Sequence, residues 1–183
     1  MAIVNRVKAI CLKPKETWEV IAGETSSPAD LLKNYAFPLA AVSPVAGFIG
    51  NAVFRRSMPI ASGLVSGVLM LAMVLASTYV LALIIDALAP SFGTQKNKGQ
   101  ALKVAVYSAT PAWAAGVLFL IPPLAPLVWL AFFYSIYLLY LGLQRLMKSP
   151  IDKTIGYTAA VAGCWIALMI VGTFIVGAIA AVG

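Results

Sequence analysis

Histidine is absent from this chain of 183 residues, carboxylates number only six, and cysteine occurs twice. Without histidine, and with no pair of carboxylates inside any apolar stretch, the usual carriers of general acid–base and metal chemistry are missing. No GxSxG, HExxH or phosphate-cradling glycine loop occurs either. Glu16 and Glu19 sit three apart in the amino-terminal region, where a solvated helix face explains them better than a metal site. Cys11 and Cys164 lie far apart without ligand spacing, so both read as structural and no disulfide framework is expected. The chain reads as non-enzymatic, with no cofactor and no metal; an enzyme acting on lipid ranks last among the readings.

Charge is scarce as well. Only 10% of residues are charged while 62% are hydrophobic, far from the roughly 45–50% apolar content of soluble domains. Mean hydropathy is +0.95. The net charge of +7 does not point to nucleic acid, because the thirteen basic residues sit in connections and at helix ends with no aromatic interleaving. Membrane orientation and contact with anionic lipid explain them more simply. The first 33 residues are broken by Pro14 and carry four carboxylates, so a cleaved signal peptide is not expected.

What the chain has in abundance is long apolar runs. Crossing a hydrocarbon layer of about 30 Å takes roughly 20 helical residues, and five runs meet that length, at about 35–54, 60–89, 104–121, 124–147 and 155–182. The fold class is therefore all-α, a polytopic bundle of five transmembrane helices spanning 34–183, preceded by an interfacial region at 1–33. In that region Ile3, Val7, Ile10 and Cys11 share a helical face with Arg6, Lys8 and Lys13 around them, as in a short helix lying at the interface. A second short helix begins at Pro14, carries Trp18 as an interfacial anchor and ends at Gly23. Ser27, Pro28 and Asp30 form a helix start leading into the first span. Pro38 and Pro44 should kink that span and call for protein neighbours around it.

Lysine and arginine alternate between connections. Five precede the first span, Arg55 and Arg56 follow it, and the next three connections carry three, none and three. Eleven against two predicts a cytoplasmic amino terminus and an external carboxyl terminus. An odd number of spans and the lack of a convincing internal repeat argue against a simple two-half transporter.

A few residues stand out inside the spans. Asp86 is the only carboxylate in an apolar run, near the cytoplasmic end, where Arg145 of the fourth span lies in the same leaflet; a structural ion pair between them or snorkelling is the leading reading, ahead of ion handling. Tyr107, Ser108, Thr110 and Pro111 in the third span, and Tyr134, Ser135, Tyr137 and Tyr140 in the fourth, offer hydroxyls that either line a cavity or satisfy carbonyls freed by proline, the second being favoured. Gly63 and Gly67 form a GxxxG; Ala112 with Gly116 and Ala159 with Gly163 repeat the small-residue spacing, which serves either a homo-oligomer contact or packing within the chain. Trp113 and Trp129 flank the Pro122–Pro123 turn as an aromatic belt would.

Five fragments occur in a telling order: Pro14-Lys-Glu-Thr-Trp18, Tyr35-Ala-Phe-Pro-Leu39, Pro90-Ser-Phe-Gly93, Tyr107-Ser-Ala-Thr-Pro111 and Tyr137-Leu-Leu-Tyr-Leu-Gly-Leu143. Together they resemble the bacterial branch of the Yip family, the Ypt-interacting proteins. The resemblance implies five transmembrane helices, a cytosolic amino terminus and a luminal or external carboxyl terminus. Eukaryotic members act in vesicle transport between endoplasmic reticulum and Golgi and bind Rab-type GTPases. They typically carry a long cytosolic extension that this chain lacks, so Rab-type GTPase binding is not expected and no functional residue is carried over.

Two functions follow as expectations. The first is a membrane protein of the bacterial inner membrane that organises lipid or membrane partners, as a scaffold or in a trafficking-like role, with residues 1–33 as its cytoplasmic contact surface. The second is a channel or transporter for ions or small solutes, built from the proline-broken, hydroxyl-bearing spans.

Overall fold

The computed structural model describes residues 3–25, 27–54 and 60–182. Those residues form an all-α structure with no strand among them, and five of the helices are long and apolar enough to cross a membrane. Helices α1 (Ile3–Leu12) and α2 (Pro14–Gly23) make a short antiparallel hairpin. The spans follow as α3 (Pro28–Phe54), α4 (Ile60–Leu88), α5 (Lys98–Leu120), α6 (Pro122–Arg145) and α7 (Ile151–Val182). The five predicted runs are present, most extended by a few residues into polar flanks that complete a helical turn. Arg55 and Arg56 lie outside the described residues.

Local signals set the element ends. The Ser27 hydroxyl accepts a hydrogen bond from the Asp30 amide at 3.0 Å, and Asn97 caps α5 through the Gln100 amide at 3.1 Å. Helix α4 runs into a tight turn over Ala89–Phe92 that Gly93 closes at φ 75°. There the Thr94 amide returns to the Ala89 carbonyl at 3.1 Å and the Gly93 amide to the Pro90 carbonyl at 3.2 Å, the paired closure that needs a left-handed residue. After α6 the same left-handed conformation falls on Lys148, φ 54°, the only non-glycine with positive φ among the described residues. A side chain at such a position costs roughly 1–2 kcal/mol relative to glycine.

Proline bends α3 through a wide turn over Leu32–Ala36, where the Phe37 amide reaches back to Leu32, and a break at Ala41. These turns re-close the backbone within the helix itself. The expected envelope of neighbours is consequently one-sided: α3 packs on α4 and the far half of α5, while Phe37, Val45, Ile49 and Val53 remain about half exposed.

Helix α5 is the innermost span. It touches α1, α3, α4 and α6, and its residues from Ala101 to Pro111 are all buried. Of its apolar window 67% is buried, against 17–28% in the other four spans, which turn most of their surface outward. Around it α4 meets α7, α7 meets α6, and α4 and α6 stand at diagonal corners.

Small residues permit the closest approaches. A Cβ at Gly63 would stand 2.8 Å from the Phe48 ring, and one at Gly67 would just touch Pro44 at 4.0 Å. The GxxxG face therefore packs against α3 of the same chain. At Gly116 a Cβ would lie 2.9 Å from the Ser43 Cα, so the Ala112–Gly116 spacing also serves the α3–α5 contact. Gly163 has open space instead.

Candidate functional site

One end of the bundle gathers the hairpin, the connection from α4 to α5 and the connection from α6 to α7. The thirteen basic residues less Arg55 and Arg56 leave eleven, and all eleven belong to segments that meet here. The opposite turn, Pro122–Leu127, has none.

The hairpin is docked into the bundle. Its inward face buries Ile10, Trp18 and Ile21 completely, together with Thr17 and Arg6. Trp18 was expected as an interfacial anchor, but it lies in the core against Gly142 of α6, where a Cβ would come within 2.8 Å of the indole. The reason is shape: the glycine on α6 leaves a recess that the flat indole fills. Arg6, expected on the polar rim, lies four residues before Ile10 on the same face and turns inward with it. Its guanidinium is ion-paired and hydrogen-bonded to Glu24 at the end of α2 and stacks over the Tyr107 ring, 5.9 Å from its centre. Buried Lys103 of α5 donates to the Ile21 carbonyl at 3.2 Å, which also accepts from the Glu24 amide at 3.3 Å, and to the Glu24 carbonyl, tying α5 to the backbone where α2 stops.

Tyr107 is the hub. Its ring meets Trp18 edge-on at 6.2 Å and Tyr35 at 4.8 Å, and the Tyr35 and Thr110 hydroxyls are 3.0 Å apart. Four of the five fragments that carry the family resemblance thus meet in one cluster through Trp18, Tyr35, Tyr107, Thr110 and Gly142. The fifth, Pro90–Gly93, stacks Phe92 on Tyr157 at 4.8 Å on the neighbouring side. Arg6, Glu24 and Lys103 are members without a site role in the sequence pattern; for Arg6 and Lys103 the signal was a charged residue in helical register with buried apolar ones.

Asp86 and Arg145 do not pair: they stand on the diagonal helices α4 and α6. Arg145 instead meets Glu19 of the docked hairpin at 3.1 Å. Asp86 is 6% exposed, with one carboxylate oxygen lacking a partner among the described residues. Pro111 is buried in α5. The carbonyl it frees is that of Tyr107, yet the Thr110 hydroxyl leans to the Val106 carbonyl at 3.5 Å, so its main partner is Tyr35. On α6, Tyr137 is 42% exposed and Tyr140 half-buried, so neither lines an interior space; the neighbouring Tyr134 donates to the Cys11 carbonyl at 2.8 Å, where Pro14 interrupts the hairpin. Trp129 is outward, as a belt residue would be, whereas Trp113 is buried.

Burial pushes the Cys11 thiol above its ordinary range. No group of three or more potential metal ligands occurs among the described residues. The cluster contains cations, one paired carboxylate and phenols held by packing, and it fastens the hairpin to the spans.

Fold and site together define an integral membrane protein with five apolar spans and a docked amino-terminal hairpin. The chain belongs to the Yip1 domain family, whose profile matches residues 8–175. Neither curated proteins nor solved structures give a match.

Proposed function

We propose that this protein is a non-enzymatic scaffold that organises anionic lipid and membrane partners at its basic end, facing the cytoplasm from the inner membrane of a bacterium. The observation that carries this reading is the convergence of eleven basic residues on one end, fastened to the spans by the Arg6–Glu24 pair and the Trp18 recess. Positive charge on short connections favours the cytoplasmic side. Each lysine or arginine near an anionic leaflet adds about 1 kcal/mol of attraction. Docking fixes those charges relative to the bundle, so that their spacing is set by the fold rather than by a loose tail. Partner membrane proteins or a second copy would meet the outward faces of α4, α6 and α7. The Ala159–Gly163 face of α7 is the small-residue stripe that the chain's own packing leaves open.

A conduit is the competing reading. Innermost α5 is closely packed with side chains from Ala101 to Pro111, which weighs against a polar passage through the middle of the bundle. Purified protein in sealed vesicles should pass no more ions or small metabolites than empty vesicles. Protein-dependent flux that falls on Asp86→Asn or Tyr107→Phe would overturn the scaffold reading.

A further inference from the structure

At the basic end, the two connections border a half-open polar pocket of about 390 Å³, lined by Gly93, Thr94, Lys96, Met147 and Lys148 among others. We propose that this pocket is a specific site for a phosphate-bearing anion, the headgroup phosphodiester of an anionic lipid. It rests on the lipid-organising reading above and assigns that reading a place.

Three observations converge. First, the pocket is cationic and uncompensated. Lys96 and Lys148 line it, the Lys153 ammonium lies beside Gly93, 3.4 Å from where a Cβ would stand, and no carboxylate is among the lining residues. None of the three lysines takes part in an ion pair among the described residues, and Asp152, the carboxylate nearest in sequence, is exposed at the start of α7. Elsewhere at this end Arg6, Lys13 and Arg145 have carboxylate partners, while Lys8, Lys15, Lys33, Lys98 and Lys103, like the pocket lysines, form no ion pair among the described residues.

Second, the pocket is built. The Thr94 hydroxyl donates to the Met147 carbonyl, tying one connection to the other, and the Ser149 amide closes back on the Leu143 carbonyl at 3.2 Å. Third, Lys148 occupies a left-handed position where glycine would be unstrained, so a cation is held in the pocket against the local backbone preference. Lys148 in this position lines the pocket with Lys96, and Lys153 stands at its Gly93 edge, an arrangement that suits a ligand carrying delocalised negative charge on several oxygens. A choline headgroup carries its own ammonium and would be repelled.

The test compares intact protein with Lys96→Gln/Lys148→Gln/Lys153→Gln. An equal-charge control, Lys8→Gln/Lys15→Gln/Lys33→Gln, alters exposed lysines elsewhere on the same end. Each is titrated in detergent with phosphatidylglycerol, phosphatidylcholine or inorganic phosphate and read as bound adducts by native mass spectrometry. Phosphatidylglycerol should bind the intact protein in preference to phosphatidylcholine; binding should fall on the order of fivefold per pocket lysine removed, and less in the control, whose lysines belong to the same basic end but lie outside the pocket. Equal phosphatidylglycerol binding by the pocket variant and the control overturns the pocket while leaving the lipid-organising reading intact. No preference for phosphatidylglycerol in the intact protein overturns both. Inorganic phosphate binding as tightly as the lipid, and lost with the pocket lysines, overturns the lipid headgroup as the source.

Discussion

Gly142 shows how much a single missing side chain decides at this end of the molecule. Trp18 is fully buried because α6 has no Cβ at that position, so Gly142→Leu should push the indole out. Overpacking of this kind costs about 1–3 kcal/mol. The loss should appear as a lower unfolding temperature in detergent together with red-shifted tryptophan emission. Cys11 offers a second check at the same scale. The thiolate is the reactive species, and burial raises the thiol above its usual range, so the thiolate fraction at neutral pH is reduced. With Cys164→Ser as background, maleimide should label Cys11 at pH 7 more slowly than a cysteine introduced by Lys8→Cys in a Cys11→Ser chain. The rate should climb as pH rises, and unfolding should abolish the difference. Lys148→Gly provides the opposite kind of test. Relief of the left-handed strain should hold or raise stability by about 1 kcal/mol, whereas a lysine of purely structural importance would lower it.

Among the elements, the hairpin α1–α2 divides its ion pairs by environment. Arg6–Glu24 is largely enclosed, with the Arg6 side chain 9% exposed, while Arg145–Glu19 is open to solvent on both sides. Removing the Glu24 carboxylate strands a buried cation, at a cost on the order of 3 kcal/mol, whereas an exposed pair contributes about 0–1 kcal/mol. Glu24→Gln should therefore increase amide hydrogen exchange throughout α1 and α2, and Glu19→Gln should barely change it. The α3–α4 contact makes its own prediction: Gly63→Leu should destabilise the monomer through Phe48 without changing oligomeric state by size-exclusion light scattering.

The spans themselves were legible because length and apolarity are set by the bilayer and need no knowledge of neighbours. Trp18 was not. An isolated tryptophan beside basic residues has the same signature whether it anchors at an interface or fills a recess, and the recess belongs to a glycine 124 positions further along. Arg6 escaped for a related reason: helical register placed it on the buried face with Ile10, but its partner Glu24 and its stacking ring Tyr107 become neighbours only after the hairpin folds onto α5. The family resemblance named the fragments holding Trp18, Tyr35, Tyr107 and Gly142 without indicating that they touch.

For the whole molecule, polarity along the bundle axis is the dominant property. One end carries eleven described cations on a docked, hydrogen-bonded frame, and the spans between it and the uncharged turn at Pro122–Leu127 are apolar outside and filled by α5 inside. The proposed lipid-organising role follows from this polarity: a body so charged is expected to orient in a membrane with an anionic inner leaflet and to gather that lipid around itself. Extraction of the intact protein with its surrounding lipid into polymer-bounded discs, followed by quantification of lipid classes against the bulk membrane, tests this most directly. Anionic phospholipid should be enriched around the protein, and the enrichment should diminish as ionic strength rises. A lipid shell matching the bulk membrane at low salt would contradict it.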